Sequence, residues 1–271
     1  MRPICEMSDE VARQVRVVFA DIDDTITEEG RLPAHSYAAL EALDNAGIAV
    51  APVTGRPAGW CDMIARFWPV AGVVGENGAL YFAYDRGERR MRRVFAASEE
   101  QRAANRVRLR SLADRILADV PGCAVAADQL YREADLAIDF CEDVTPLREA
   151  DVSRIATLFA EAGATAKVSS IHVNGWFGDY DKLTMCRQFA NDILHLDIAR
   201  DNAKIAFVGD SPNDAPMFGF FANSCGVANV RQFIGALPAE PAYVTKATSA
   251  GGFIEVAERL LAVRQDRNCA P

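Results

Sequence analysis

Long apolar runs are missing from this chain of 271 residues. Nowhere do about 18 apolar residues stand together, so no membrane-spanning helix is expected. The first fourteen residues carry Glu6, Asp9 and Glu10 and no apolar stretch of signal-peptide length, so secretion is not expected either. CxxC pairs are also absent. The seven cysteines (Cys5, Cys61, Cys123, Cys141, Cys186, Cys225 and Cys269) are odd in number and widely scattered. That pattern suits buried thiols in a reducing compartment better than a disulfide framework, and the cytoplasm is the expected location. Basic residues are short against acidic ones, 29 to 38, for a formal net charge of -9. Phosphate-backbone affinity needs clustered Lys and Arg, so nucleic acid is not an expected partner. No low-complexity segment or solenoid repeat is found. Half of the residues are hydrophobic, enough for a large core and a smaller second domain.

The run VRVVFA (15–20) is apolar and β-branched, and reads as a buried strand ending at a cluster of acids. Tyr37, Leu40 and Leu43 then mark one face of a helix stopped by Gly47, and IAVAPVTG returns as a second strand. An amphipathic segment from Trp60 to Trp68 precedes the short strand AGVVG. Parallel strands with crossover helices are the economical reading. From Tyr81 the texture changes: YFAYDRGERRMRRVF reads as a hairpin around Gly87 that leads out of the first domain. Ser98 and Gln101 make a capping box, and Leu109, Leu112, Ile116 and Val120 continue a helical stripe. The strands GCAVAAD and ADLAIDF follow, then a helix with Val152, Ile155 and Phe159 on one face, then the strands ATAKVS and IHVNG. The segment reads helix, strand, strand, twice. After Asp181 the alternating pattern resumes through LTMCRQFANDIL, KIAFVG, a helix from about Ala215, strands near Cys225 and at AYVT, and a last helix from about Gly252. The tail QDRNCAP has no apolar period and is expected to fray. The fold class is therefore α/β: a Rossmann-like, three-layer parallel-sheet core (1–80 and 181–271) with an inserted α+β domain at 81–180.

Four pieces at strand ends carry possible chemistry. Asp21-Ile22-Asp23-Asp24-Thr25 places carboxylates at the end of a buried strand, where like charges repel and hydration is poor. A divalent cation of the magnesium type would offset that cost, though Asp and Thr also suit a plain N-cap and turn. Thr54-Gly55-Arg56 offers a hydroxyl, a close backbone approach and amides for an anion; a glycine turn is also common for structural reasons. Lys182 is a compact point charge suited to phosphate, or an ordinary surface lysine. Gly209-Asp210-Ser211-Pro212-Asn213-Asp214 puts two more acids after the buried strand KIAFV.

Taken in order, Asp21-x-Asp23-x-Thr25, Thr54-Gly55-Arg56, Lys182 and Gly209-Asp210-x-x-Asn213-Asp214 resemble the haloacid dehalogenase-like (HAD) phosphatase superfamily. The long insertion looks like the large α/β (type II) cap of the group with the Cof-type sugar phosphatases, sucrose-phosphatase, mannosyl-phosphoglycerate phosphatase and eukaryotic phosphomannomutase. Gly75-Glu76-Asn77-Gly78 is similar to that group as well. The resemblance implies a phosphoric monoester hydrolase in which Asp21 attacks phosphorus and Asp23 acts as acid, then base. It implies Mg2+ held by the Asp21 carboxylate, the Asp23 carbonyl and Asp210, with Asp214 close by. Thr54 and Lys182 would bind the phosphoryl oxygens, with Asn213 orienting the site. Two departures are noted. Position 24 is Asp where many relatives have Gly, and is expected to face outward or bond locally. Gly178-Asp179-Tyr180-Asp181, before the lysine, is unusually acidic.

The expected partner is a small phosphate ester, a sugar phosphate or a phosphoglycerate-type compound, bound by a monomer or homodimer. Candidates for contact with it are Thr54, Gly55, Lys182 and Asn213, and on the cap-facing side Arg56, Glu76, Asn77, Arg132 and His172. For Arg132 and His172 a plain surface or strand role is the alternative. Arg86, Arg89, Arg90, Arg92 and Arg93 read as a solvated hairpin, and Trp60, Trp68 and Trp176 as packing residues. A phosphomutase of the same fold and a non-catalytic regulatory protein that binds a phosphometabolite are the competing readings.

Overall fold

The computed structural model describes residues 1–169 and 171–265; residues 266–271, most of the tail read above and including Cys269, lie outside the described residues. In chain order the first part runs β1 (Arg2–Pro3), α1 (Asp9–Gln14), β2 (Val17–Ala20), α2 (Ala34–Asn45), β3 (Ala49–Pro52), α3 (Ala58–Phe67), β4 (Val73–Gly75), β5 (Leu80–Asp85) and β6 (Arg90–Phe95). It continues with α4 (Glu99–Asp119), β7 (Ala124–Val125), β8 (Asp135–Asp139), α5 (Glu149–Glu161), β9 (Thr165–Val168) and β10 (His172–Trp176). The last part is α6 (Lys182–Phe189), β11 (Ile205–Gly209), α7 (Ala215–Phe220), β12 (Asn223–Gly226), β13 (Tyr243–Val244) and α8 (Ser249–Gln265).

The main sheet has six parallel strands in the order β1-β13-β12-β11-β2-β3. It is buried on both faces, which is why β2 and β11 read as unbroken apolar runs. Val18, Ala20, Val50, Ala206 and Val208 face one layer with Leu40, Leu43, Ile64, Phe253 and Leu260. Val17, Phe19, Ala51, Ile205 and Phe207 face the other, with Met185, Phe189, Met217, Phe218 and Phe221. Pairing brings Ala20 beside both Val208 and Pro52, so β2, β3 and β11 end level and the polar residues that follow emerge side by side. The edge strand β1 has no counterpart in the sequence reading; two residues are too few for a periodic signal.

The antiparallel sheet β4-β5-β6 is joined to the main one by a parallel bridge between Val53 and Val74. The hairpin β5-β6, read from sequence as part of the insertion, packs with the core: Leu80 and Phe82 join one apolar layer, and Tyr81 and Ala83 the other. The chain leaves for the third sheet after Phe95, at α4, where the Ser98–Gln101 capping box forms as expected. That third sheet, β7-β8-β10-β9, is antiparallel. Leu136, Ile138 and Val173 pack against α4 and α5. The alternate positions Asp135, Asp139, His172 and Asn174 lie on the opposite face and are buried all the same.

Glu76 ties this cap to the core. Its carboxylate accepts hydrogen bonds from the amides of Ala58 (2.9 Å), Glu133 (2.8 Å), Ala134 (2.7 Å) and Asp135 (3.2 Å). The turn carrying it is equally constrained: Glu76 and Asn77 both have positive φ, and a Cβ at Gly78 would sit 2.1 Å from the Asp181 carbonyl oxygen. Replacing Glu76 by Ala strands four amides, three of them buried, each buried one worth about 1–3 kcal/mol if left bare. Glu76→Ala is therefore expected to lower stability by at least about 3 kcal/mol in a denaturant titration and to speed proteolysis at the cap junction, with Glu76→Gln intermediate.

Candidate active site

Because β2, β3 and β11 end level, three loops converge. Asp21 follows β2, with its amide bonded to the Val208 carbonyl (2.9 Å), and Thr54 follows β3, with its amide on Val74 (2.9 Å). Asp210 follows β11. Lys182 opens α6, whose N-cap Asp181 accepts from the Thr184 amide at 2.7 Å. The lysine ammonium donates to Asp21 Oδ1 (2.7 Å) and Asp214 Oδ1 (2.9 Å), and the other Asp214 oxygen accepts from the Asp210 amide (3.1 Å). Glycine at 209 is required here, since a Cβ would lie 2.4 Å from Asp214 Oδ2. Thr25 completes the cluster with a long contact, 3.5 Å, to Asp210 Oδ1.

One oxygen of each of Asp21, Asp210 and Asp214 lies within 4.8 Å of the others, and all three residues are buried. Three carboxylates against the single ammonium of Lys182 leave a formal charge of -2. Burial pushes the Asp21 carboxyl up to about 7, against the pull of Lys182 and helped by Asp214 and Asp23. Burial, then Asp214 and Asp21, drive Asp210 well above the carboxylate range. Burial also works against the charged form of Lys182, but Asp21 and Asp214 outweigh it and raise its pKa. An all-oxygen donor set with surplus negative charge fits a hard divalent cation such as Mg2+.

Asp23 lies beyond this cluster and is gripped by Arg56: Nε reaches both carboxylate oxygens at 3.1 Å and Nη2 reaches Oδ1 at 3.0 Å. The guanidinium rests 4.5 Å over Trp60, which is 38% exposed and packs as a platform for the arginine. Trp68 and Trp176 are buried as expected. Thr54 is fully buried, its hydroxyl accepting from the Arg56 amide at 3.0 Å. Asp24 has φ 55 and bonds locally, its amide donating to the Thr27 hydroxyl (3.2 Å).

A small pocket separates these groups from the cap; Asp21, Asp23, Gly55, Arg56, Asn77, Lys182, Asp210 and Asn213 form its floor. Arg132, Ser169, His172 and Asn174 form its roof. Arg132 is committed to structure: it donates to Asp135 (3.0 and 3.1 Å), Asp128 (3.1 Å) and the Gly55 carbonyl (2.9 Å). Glu76 is not among the lining residues. Its four amide bonds place it at the junction, away from the position on the substrate side given to it by sequence. The arginine-rich hairpin contributes nothing to this pocket; Arg93 pairs with Asp62 (2.6 Å) and Arg92 with Asp192 (3.3 Å). Sequence reading missed Asn174 and Glu142. For Asn174 the available signal was the period-two alternation of ADLAIDF and IHVNGW, which puts polar side chains on a second buried face.

No protein-family model matches the sequence, and no curated protein matches it. Solved structures do. Protein 0175 of Thermoplasma acidophilum superposes with a TM-score of 0.69 at 17% identity, covering 91% of this chain and 98% of its own. A haloacid dehalogenase-like hydrolase from Bacteroides thetaiotaomicron gives 0.63 at 13%, covering 91% and 99%. The sucrose-phosphatase of Synechocystis sp. PCC6803, in complex with sucrose and phosphate, gives 0.60 at 15%, covering 92% and 98%. At these identities the likeness is one of fold: the chain has the HAD fold, a Rossmann-like core with a cap.

The acid cluster makes stability depend on pH and on cations. Folding raises the Asp21 pKa, so its share of stability is present below about pH 4 and is lost as pH rises through about 7. In a chelator the thermal midpoint should therefore fall between about pH 4 and 7. Millimolar Mg2+ at the upper end should restore it, and the rise should shrink in Asp210→Asn.

Proposed function

We propose that this chain is a magnesium-dependent phosphatase acting on a small phosphorylated metabolite, with Asp21 as nucleophile. The observation that carries the reading is the meeting of Asp21, Lys182, Asp210 and Asp214 at a pocket between core and cap. The HAD fold, shared with a sucrose-phosphatase, supports it. In this reading an Asp21 carboxylate oxygen attacks phosphorus in line with the leaving oxygen, and an aspartyl-phosphate forms as the P–O ester bond breaks. Lys182 and the Thr54 hydroxyl, which accepts from the Arg56 amide and still has its own proton to give, bind the phosphoryl oxygens; Lys182 and Asn213 line the pocket, while Thr54 is fully buried. Asp21, Asp210 and the Asp23 carbonyl, with Asp214 alongside, would hold Mg2+, which when bound supplies positive charge against the developing charge of the phosphoryl group. Asp23 gives its proton to the leaving oxygen. As a carboxylate, stabilised by the Arg56 fork, it then takes a proton from the water that hydrolyses the aspartyl-phosphate.

Charge narrows the substrate. Each cation at the pocket is already matched: Lys182 by Asp21 and Asp214, Arg56 by Asp23 and Glu142, Arg132 by Asp135 and Asp128. A leaving group with its own carboxylate would meet no unpaired partner, so neutral polyols, as in sugar phosphates, fit better than phosphoglycerate-type esters.

Asp21→Asn is expected to remove turnover of p-nitrophenyl phosphate by at least about a thousandfold while the circular dichroism spectrum stays unchanged. Across a panel of phosphorylated metabolites, hexose and pentose phosphates should exceed phosphoglycerates by about tenfold or more in kcat/KM. A folded Asp21→Asn protein with near-normal turnover would defeat the assignment.

A further inference from the structure

Glu142, on the cap loop after β8, is the far end of a polar chain that begins at the proton donor. Its Oε1 accepts from Arg56 Nη1 at 3.2 Å, while the opposite edge of the same guanidinium holds Asp23. Its Oε2 lies 2.9 Å from His172 Nε2. The loop is fixed from below: Asp139, buried on β8, accepts the amides of Cys141 (2.9 Å), Glu142 (2.8 Å) and Asp143 (2.8 Å). His172 is the cross-strand partner of Asp139 on β10, so both cap groups that meet here are set by one strand pair. His172, and behind it Arg56, hold the Glu142 carboxyl down at about 2 against burial. An isolated surface ion pair is worth little. This one joins two domains, and its shared member is the guanidinium that orients Asp23.

We infer that Glu142 is a positioning residue that couples the seating of the cap to the orientation of Asp23, through Arg56. With the cap seated, Arg56 is held at both ends and Asp23 is aimed at the leaving oxygen. With the cap lifted, the Arg56 contacts to Glu142 and Asp128 break, and only the core contacts to Asp23 and Trp60 hold the fork. Proton delivery is thereby confined to the closed state, in which water is excluded. The inference rests on the phosphatase reading, so two separate readouts are needed.

The kinetic one compares esters. Loss of a sugar alkoxide needs the proton from Asp23, whereas p-nitrophenolate is a weak base and leaves with little help. Glu142→Gln should therefore cut kcat for a hexose phosphate about tenfold more than kcat for p-nitrophenyl phosphate. In an Asp23→Asn background the same change should cost the hexose phosphate almost nothing further. Glu142→Asp should recover part of the loss. Equal losses on both esters, or full additivity with Asp23→Asn, would overturn the coupling.

The second readout is amide hydrogen exchange, which needs no turnover. Glu142→Gln should speed exchange in the Asp23–Thr27 and Arg56–Trp60 segments as well as in the Asp139–Asp143 loop. Faster exchange in the cap loop alone would likewise overturn the inference. A wild-type chain that hydrolyses neither ester would end the phosphatase reading, and the exchange data would still decide the coupling.

Discussion

Three carboxylates and one ammonium crowded at the ends of two buried strands set the terms for the rest of this molecule. The sheet supplies the crowding: β2 and β11 run side by side and stop at the same level, so Asp21 and Asp210 have nowhere to separate. Lys182 offsets only part of that charge. The remaining negative charge is the physical reason that a hard cation suits this spot. It also explains the local architecture, from the glycine at 209 that admits Asp214 to the N-cap at Asp181 that fixes the lysine.

A second tier of interactions brings the cap to this cluster, and it is built mainly from main-chain groups. Glu76 gathers amides from both sides of the junction, and Arg132 reaches the Gly55 carbonyl while anchored on Asp135. Carbonyls and amides are insensitive to side-chain identity, so the cap is held in place by few specific residues. The Arg56–Glu142 contact differs: it joins side chains, lies at the pocket and involves the residue that holds Asp23.

Much of this was legible from sequence. Buried parallel strands announce themselves as unbroken β-branched runs, and acids at their ends stand out because they conflict with what precedes them. Asp21, Asp23 and Asp210 stood out that way, Thr54 and Lys182 through the resemblance, and the structure brings Asp21, Asp23, Lys182 and Asp210 to one pocket, with Thr54 fully buried. The allegiance of the β5-β6 hairpin was not legible, since alternation tells which face of a strand is apolar but not which domain it will cover. Glu76 and Arg132 look polar and therefore functional in a sequence; only burial and saturated hydrogen bonding reveal them as fasteners. Glu142 had no pattern at all, because its position is set by Asp139 and by a strand partner 33 residues further along.

The two-faced cap sheet has an evolutionary consequence. Its helix-facing residues, Leu136, Ile138 and Val173, maintain the cap as a folded unit, while the interleaved positions 172 and 174 present themselves to the ligand space. Selectivity and foldability are thus written on alternate letters of the same strands. Single changes at positions 172 or 174 can therefore reshape the pocket without rebuilding the interior that keeps the cap folded.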